Sequence, residues 1–370
     1  MGSGSEEPSS DVISAAGRRG RGSLSRATGR FERYAVEAFD DGWGTTDEDP
    51  PPLRTEVLPD NAKSVITRNT SPDVGFDRSI NPYRGCEHGC VYCFARPTHA
   101  YLGFSPGLDF ESRLFAKFDA PALLEKELSK PRYKPQVIAL GVNTDCYQPI
   151  EREYRITRGV LEVLNAYNHP VGIVTKSQLI QRDLDILADM AARDLVTVAI
   201  SLTTLDRGLA RKMEPRAATP ARRVDTIRAL TETGVPVTAL MAPVIPGLND
   251  PEIDAVMSAA AGAGATRAGY VLLRLPLEIK TLFREWLAEN YPDRANKVIN
   301  LMRSMRGGRD YTPCFGERMR GTGAYADLIE NRFLAACRRL GLNAAEHAID
   351  SSNFKVPERP NEQLGLFQER

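Results

Sequence analysis

The chain has 370 residues, 42% of them hydrophobic and 26% charged, enough to bury a sizeable core as one large domain with tails or as two smaller domains. Lysine plus arginine and aspartate plus glutamate both number 48, so net charge supplies no general attraction to nucleic acid. No run of about 18 apolar residues exists, which argues against a membrane-spanning helix, and six cysteines without an apolar secretory leader predict a reducing, cytoplasmic setting.

Residues 1–52 are rich in glycine, serine, arginine and acidic side chains. Arg18, Arg19, Arg21, Arg26 and Arg30 make a basic cluster, followed by Asp40, Asp41, Asp47, Glu48, Asp49 and then Pro50, Pro51 and Pro52. Such a stretch buries too little apolar surface to offset its chain entropy and predicts a disordered N-terminal arm. Its arginines read either as phosphate contacts or as a solvated basic tail.

Residues 53–275 read as the core. Short apolar runs predict strands at Ser79–Tyr83, Gln136–Val142, Val171–Thr175, Val196–Leu202, Val237–Pro243 and Gly269–Leu273, nearly continuous in apolar residues as strands buried on both faces must be. Amphipathic stretches between them predict helices at Ala120–Leu128, Thr157–Tyr167, Leu179–Ala192, Thr219–Thr233 and Asp250–Ala263. Six βα units in series imply an α/β fold with a parallel sheet. Residues 276–350 read as a helical C-terminal extension and 351–370 as a flexible tail.

Directly after the first predicted strand the chain reads Asn81-Pro-Tyr-Arg-Gly-Cys-Glu-His-Gly-Cys-Val-Tyr-Cys-Phe. The CxxxCxxC spacing, with glycines at Gly85 and Gly89, predicts a short loop on which the thiolates of Cys86, Cys90 and Cys93 converge. Three thiolates suit a 4Fe–4S cluster and leave its fourth iron open to chelate a substrate. A structural zinc would draw a fourth ligand, and His88 and His99 form no second paired knuckle. This spacing resembles that of the radical S-adenosylmethionine enzymes, in which the amine and carboxylate of S-adenosylmethionine occupy the open iron.

The resemblance implies a partial (β/α)6 TIM-type barrel, and within the superfamily it is nearest to spore photoproduct lyase and its relatives. Besides the cysteines it rests on Thr175-Lys176-Ser177, Ser201, Glu214-Pro215 and Ala242-Pro243, each placed where a barrel opens. It implies reductive cleavage of the cofactor to methionine and a 5′-deoxyadenosyl radical that abstracts a substrate hydrogen. It also implies an electron donor such as flavodoxin or ferredoxin, and a DNA-repair lyase reaction on a thymine dimer extruded from the duplex.

Among candidate site residues, Lys176 suits the methionine carboxylate and Ser201 a ribose hydroxyl, while Ser177 reads as a helix N-cap. The segment Gly141-Val-Asn-Thr-Asp-Cys departs from the Gly-Gly-Glu found at this point in many members; Asn143, Thr144 and Asp145 supply oxygen acceptors of similar reach for the cofactor's amino group. Cys146 resembles the hydrogen-atom donor of the photoproduct lyases, the alternative being a small buried hydrophobe. Tyr92 stands before the third cysteine and Phe94 after it, where the lyases carry tyrosines thought to relay hydrogen; the relay is then shortened, or Tyr147 enters it. Cys314 and Cys337 read as ordinary thiols.

Arg207, Arg211, Lys212, Arg216, Arg222 and Arg223 read either as a phosphate track or as a solvated helix face. At the C-terminus, Gln363-Leu364-Gly365-Leu366-Phe367 resembles the peptide by which bacterial repair and replication proteins dock on the DNA sliding clamp, with its apolar residues as anchors; the alternative is a tail folded onto its own barrel. The rival functions are a radical enzyme acting on RNA, protein or a small molecule, and a non-enzymatic iron–sulfur or zinc module recruited to the clamp.

Overall fold

The computed structural model describes residues 20–32, 53–345 and 349–358. Its strands are β1 (Glu56–Pro59), β2 (Thr67–Arg68), β3 (Arg78–Ile80), β4 (Tyr83–Arg84), β5 (Arg113–Ala116), β6 (Ile138–Leu140), β7 (Val171–Thr175), β8 (Val196–Ser201), β9 (Val237–Val244) and β10 (Arg267–Leu272). The larger sheet runs β10-β9-β8-β7-β6-β3-β2. Strands β3, β6, β7, β8, β9 and β10 pair in parallel, and β2 lies antiparallel on β3.

Each parallel pairing needs a crossover, and helices Ala120–Leu128, Ile156–Ala166, Leu184–Ala191, Pro220–Glu232 and Ile253–Gly262 supply them in turn. The α/β architecture with six parallel strands is the partial barrel that the resemblance implies. In β8, Val196, Val198 and Ile200 are buried, each contributing on the order of 1.5–3 kcal/mol. The sheet does not close on itself. Residues 315–319 bridge from its β10 end to the 71–73 turn: Leu272 N donates to Met319 O at 2.9 Å, and Gly316 N donates to Asp73 Oδ1 at 2.6 Å.

The elements differ from the sequence reading mainly around prolines and caps. The first predicted strand is two, because Pro82 has no N–H to continue the ladder; Tyr83–Arg84 leaves for a small separate sheet, β1-β5-β4. The helix expected from Leu179 begins as a 3-10 segment, Gln178–Asp183, whose first turn is capped by Ser177 Oγ accepting from Leu179 N at 3.2 Å, as predicted. After β10 come helices Ile279–Asn290, Pro292–Ser304 and Ala324–Leu340.

Two segments expected to be loose are partly held. Within the arm, residues 20–32 pack on the cysteine loop, because buried Glu111 accepts from Arg21 N at 2.6 Å, Gly22 N at 3.0 Å and Ser23 N at 2.8 Å. Within the tail, Lys355 N donates to Tyr167 O at 3.0 Å, and Phe354 packs among the rings of Tyr133, Tyr167 and His169. Gln363–Phe367 lies outside the described residues. No described helix is long and apolar enough to cross a membrane.

Candidate active site

The loop after β3 turns at Gly85 and Gly89, with φ of 73° and 67°, a region that costs a side-chain-bearing residue roughly 1 kcal/mol or more. Gly89 is also tightly packed: a Cβ there would lie 2.8 Å from Arg21 Cβ. Behind the loop, Arg96 is fully buried. Its Nε donates to Cys90 O at 2.9 Å, Nη2 to Gly89 O at 3.1 Å, and Nη1 to Pro106 O and Gly107 O at 3.0 Å each. Its charge pairs with Glu111, equally buried. This anchor was not legible in the sequence, where Arg96 is one arginine among many.

Cys86, Cys90 and Cys93 all line one cavity of about 390 Å³, together with Tyr92, Asn143, Thr144, Asp145, Lys176 and Ser201. Lys176 follows β7 and Ser201 ends β8, so the strand ends bring to the loop the residues that the sequence places far away. Among the described residues no three His, Cys, Asp or Glu side chains are arranged to hold a single metal ion. Three thiols around one cavity can each take one iron of a cluster.

Burial pushes the Cys86 thiol well up and the Cys90 thiol up to about 12, against the opposing charge of Lys176 on Cys90. These thiols become thiolates when a bound metal supplies the compensating charge. The residues present thus fit a cluster.

Around Cys90 lies a buried charged network. Lys176 Nζ is 3.4 Å from Cys90 Sγ, 3.1 Å from the Tyr92 hydroxyl and 3.4 Å from Glu214 Oε1. Tyr92 donates to Glu214, Thr203 Oγ1 donates to Glu214 Oε1 at 3.0 Å, and Arg223 pairs with the same carboxylate. Burial opposes the Glu214 charge, but Arg223 and Lys176 hold its carboxyl far below the usual range. Burial, reinforced by Glu214, pushes the Tyr92 phenol well up. Glu214 thus joins the residues that the loop and the strand ends contribute.

The other expected residues divide. Asn143 lines the cavity and its side chain makes no hydrogen bond among the described residues. The Thr144 hydroxyl donates to Tyr83 O at 2.6 Å. Asp145 is fully engaged: it accepts from Thr175 Oγ1 at 2.7 Å, Lys176 N at 3.0 Å and Tyr147 N at 2.9 Å, and His88 Nδ1 lies 3.4 Å away. Against the cost of burial, His88 and these donors lower its pKa to about 2.

Cys146 is fully buried in the core rather than on the cavity lining, with its sulfur packed under Gly141, where a Cβ would come within 2.8 Å. Tyr147 also points away, its hydroxyl donating to Asp183 at 3.0 Å. In the basic stretch after β8, Arg223 serves Glu214, Arg216 serves Glu87 and Lys212 lies over the Tyr291 ring, while Arg207, Arg211 and Arg222 are exposed. Sequence reasoning also missed Arg274, which lies two residues beyond β10 on the cavity lining, stacks on Phe94 at 5.3 Å and carries a buried Nε without a hydrogen-bond partner.

Comparison with known proteins agrees with this geometry. The model of the radical SAM superfamily matches residues 80–260. An uncharacterized protein of Mycobacterium tuberculosis is 37% identical over 247 residues, covering 66% of this chain and 72% of that protein; one of Methanocaldococcus jannaschii is 26% identical over 250 residues, covering 67% and 88%. Among solved structures, spore photoproduct lyase complexed with dinucleoside spore photoproduct matches 77% of this chain and 80% of its own with a TM-score of 0.57, at 15% identity, which shows the fold. The superfamily implies a 4Fe–4S cluster and S-adenosylmethionine. The chain belongs to the radical S-adenosylmethionine superfamily, as a member with a spore-photoproduct-lyase-like fold.

Proposed function

We propose that the protein is a radical enzyme of the lyase type that acts on a nucleobase lesion in DNA. The observation that carries the radical half is the meeting of Cys86, Cys90 and Cys93 with Lys176, Asn143 and Ser201 around one cavity at the strand ends. The likeness of fold to spore photoproduct lyase supports the lesion half.

When bound, a reduced 4Fe–4S cluster and S-adenosylmethionine supply a carbon-centred radical able to take hydrogen from a substrate. The chain's own part is to hold and orient. Cys86, Cys90 and Cys93 would ligate the irons, and Lys176, already protonated beside Glu214, would turn its ammonium to the methionine carboxylate. Asn143 offers its unengaged amide to the amino group, and Ser201 its hydroxyl to a ribose. Asp145 acts by fixing Lys176 N and His88 rather than by touching the cofactor. Val174, Leu240, Ala242, Pro243 and Leu272 make the apolar wall that excludes water.

Tyr92 keeps a place at the reacting centre through its hydroxyl beside Lys176. Cys146, expected as hydrogen donor, enters this reading as a core residue behind Gly141. That position favours a second reading, in which the same radical chemistry serves a substrate other than a thymine dimer. A carrier such as flavodoxin or ferredoxin would deliver the electron, and Gln363–Phe367 would recruit the enzyme to the sliding clamp, a role tested by clamp binding to a chain lacking those residues.

The deciding experiment is anaerobic reconstitution with iron and sulfide, reduction, and addition of S-adenosylmethionine with and without ultraviolet-irradiated DNA. 5′-Deoxyadenosine together with restored thymine supports the lesion lyase. 5′-Deoxyadenosine without thymine moves the substrate elsewhere, and its absence from protein holding a reducible cluster ends the radical reading.

A further inference from the structure

Beside the inner cavity lies a groove of about 700 Å³ that shares Phe94, Asn143, Arg274 and Met319 with it. We propose that this groove binds single-stranded or extruded nucleic acid through its phosphodiesters, and that Arg68 and Arg274 are its phosphate contacts. The inference rests on the radical-enzyme reading for the position of the reacting atom, and it uses a different surface from the arginines after β8.

The first argument is charge. Arg68, Arg84, Lys117, Arg274 and Arg318 line the groove, and no aspartate or glutamate does so among the described residues. Arg84 is paired with Asp60 at 2.7 Å, Lys117 lies 3.8 Å from the same carboxylate, and Arg318 is paired with Asp73. Arg68 and Arg274 have no ion-pair partner among the described residues. A phosphate oxygen would satisfy the buried Arg274 Nε, which has no acceptor in the protein.

The second argument is shape and ring placement. The inner cavity, about 390 Å³, lies at the small end of the range of about 300–1,000 Å³ for ligand sites, and cluster and cofactor must share it. The bulk of a substrate therefore lies outward in the groove. There Phe94 and Phe315 are 44% and 58% exposed, an unusual state for large apolar rings, and each carries an arginine on its face: Arg274 on Phe94 at 5.3 Å and Arg318 on Phe315 at 4.6 Å. Cationic walls with exposed aromatic platforms bind single strands by phosphate contact and base stacking. A small apolar substrate would not use them.

The test is fluorescence anisotropy of the reconstituted holoenzyme with a labelled oligodeoxythymidylate of about ten nucleotides, over a series of potassium chloride concentrations. Wild-type protein is expected to bind with salt-sensitive affinity. R68E, on an exposed position, is expected to weaken binding about tenfold or more and to flatten the slope of log affinity against log salt by about 0.7, while F315A weakens binding with the slope unchanged. Thermal melting of each variant verifies folding. Binding by R68E equal to wild type, or salt-independent binding by wild type, overturns the proposal. Thymidine monophosphate competing as well as the oligomer also overturns it and makes the groove a small-phosphate site. Wild-type protein that yields 5′-deoxyadenosine but binds no oligonucleotide sinks the groove alone; binding without any 5′-deoxyadenosine sinks the radical reading and leaves the groove standing.

Discussion

Arg96 and Glu111 form an ion pair sealed from solvent on both sides, and through it the cysteine loop is joined to the N-terminal segment. Arg96 binds the loop carbonyls of Gly89 and Cys90, and Glu111 binds the amides of residues 21–23. Breaking a buried pair by removing one partner leaves an uncompensated charge, which costs on the order of 3–5 kcal/mol. R96A is therefore expected to lower thermal stability markedly and to lose iron after reconstitution. E111Q, which leaves Arg96 without its counter-charge and turns one accepting oxygen into a donor, is also expected to lose stability and to bleach its cluster in air faster than wild type. Wild-type iron content and bleaching in both variants would disprove the link.

The three cysteines hold little of the fold by themselves, since the buried core around them is extensive. C86A, C90A and C93A should each unfold near the wild-type temperature yet hold less iron and form no 5′-deoxyadenosine. Iron analysis and visible absorbance separate this result from misfolding.

Lys176 faces Glu214, Tyr92 and Cys90 together. K176M should raise the KM for S-adenosylmethionine about tenfold or more, the loss of one charge-assisted bond of roughly 1.5–3 kcal/mol. E214Q leaves Arg223 and Lys176 without their carboxylate and should destabilise the fold as well as the site. An unchanged KM in K176M removes Lys176 from cofactor binding.

Cys146 is packed under Gly141 and absent from the cavity lining. C146A should cost about 1 kcal/mol of stability, the scale of a small deletion in a core, while 5′-deoxyadenosine formation and the product pattern stay as in wild type. Trapped or diverted products would instead move its sulfur into the reaction.

His169 is neutral in the fold: its ring bonds the Tyr133 hydroxyl at 2.7 Å and Pro170 O at 3.0 Å, and burial lowers its pKa from 6.5 to about 4. Below its ordinary pKa the unfolded chain takes up a proton that the folded chain refuses. Stability is thus full above about pH 6.5 and falls as pH drops toward 4, by roughly 2–4 kcal/mol for this group. His99 shifts in the same direction through burial. Denaturant midpoints measured across this window should fall in wild type and fall less in H169Q.

The cysteine loop and the alternation of buried strands and crossover helices were legible in the sequence, because both are local: a loop spacing and a hydrophobic period are written in consecutive residues. Val171–Thr175 and Ala120–Leu128 appear at the predicted bounds for that reason. The sequence also marked Lys176 and Ser201 as strand-end residues. The tertiary structure decided what depends on partners far apart in the chain. It set Glu214 against Tyr92 and Lys176, tied Arg96 to Glu111 and the segment 21–23, sank Cys146 beneath Gly141, and gathered Arg68, Arg274 and Phe315 along one groove. A charge or a thiol takes its role from the dielectric and the neighbours that folding gives it, whether 15 residues away, as Glu111 is from Arg96, or 86, as Lys176 is from Cys90.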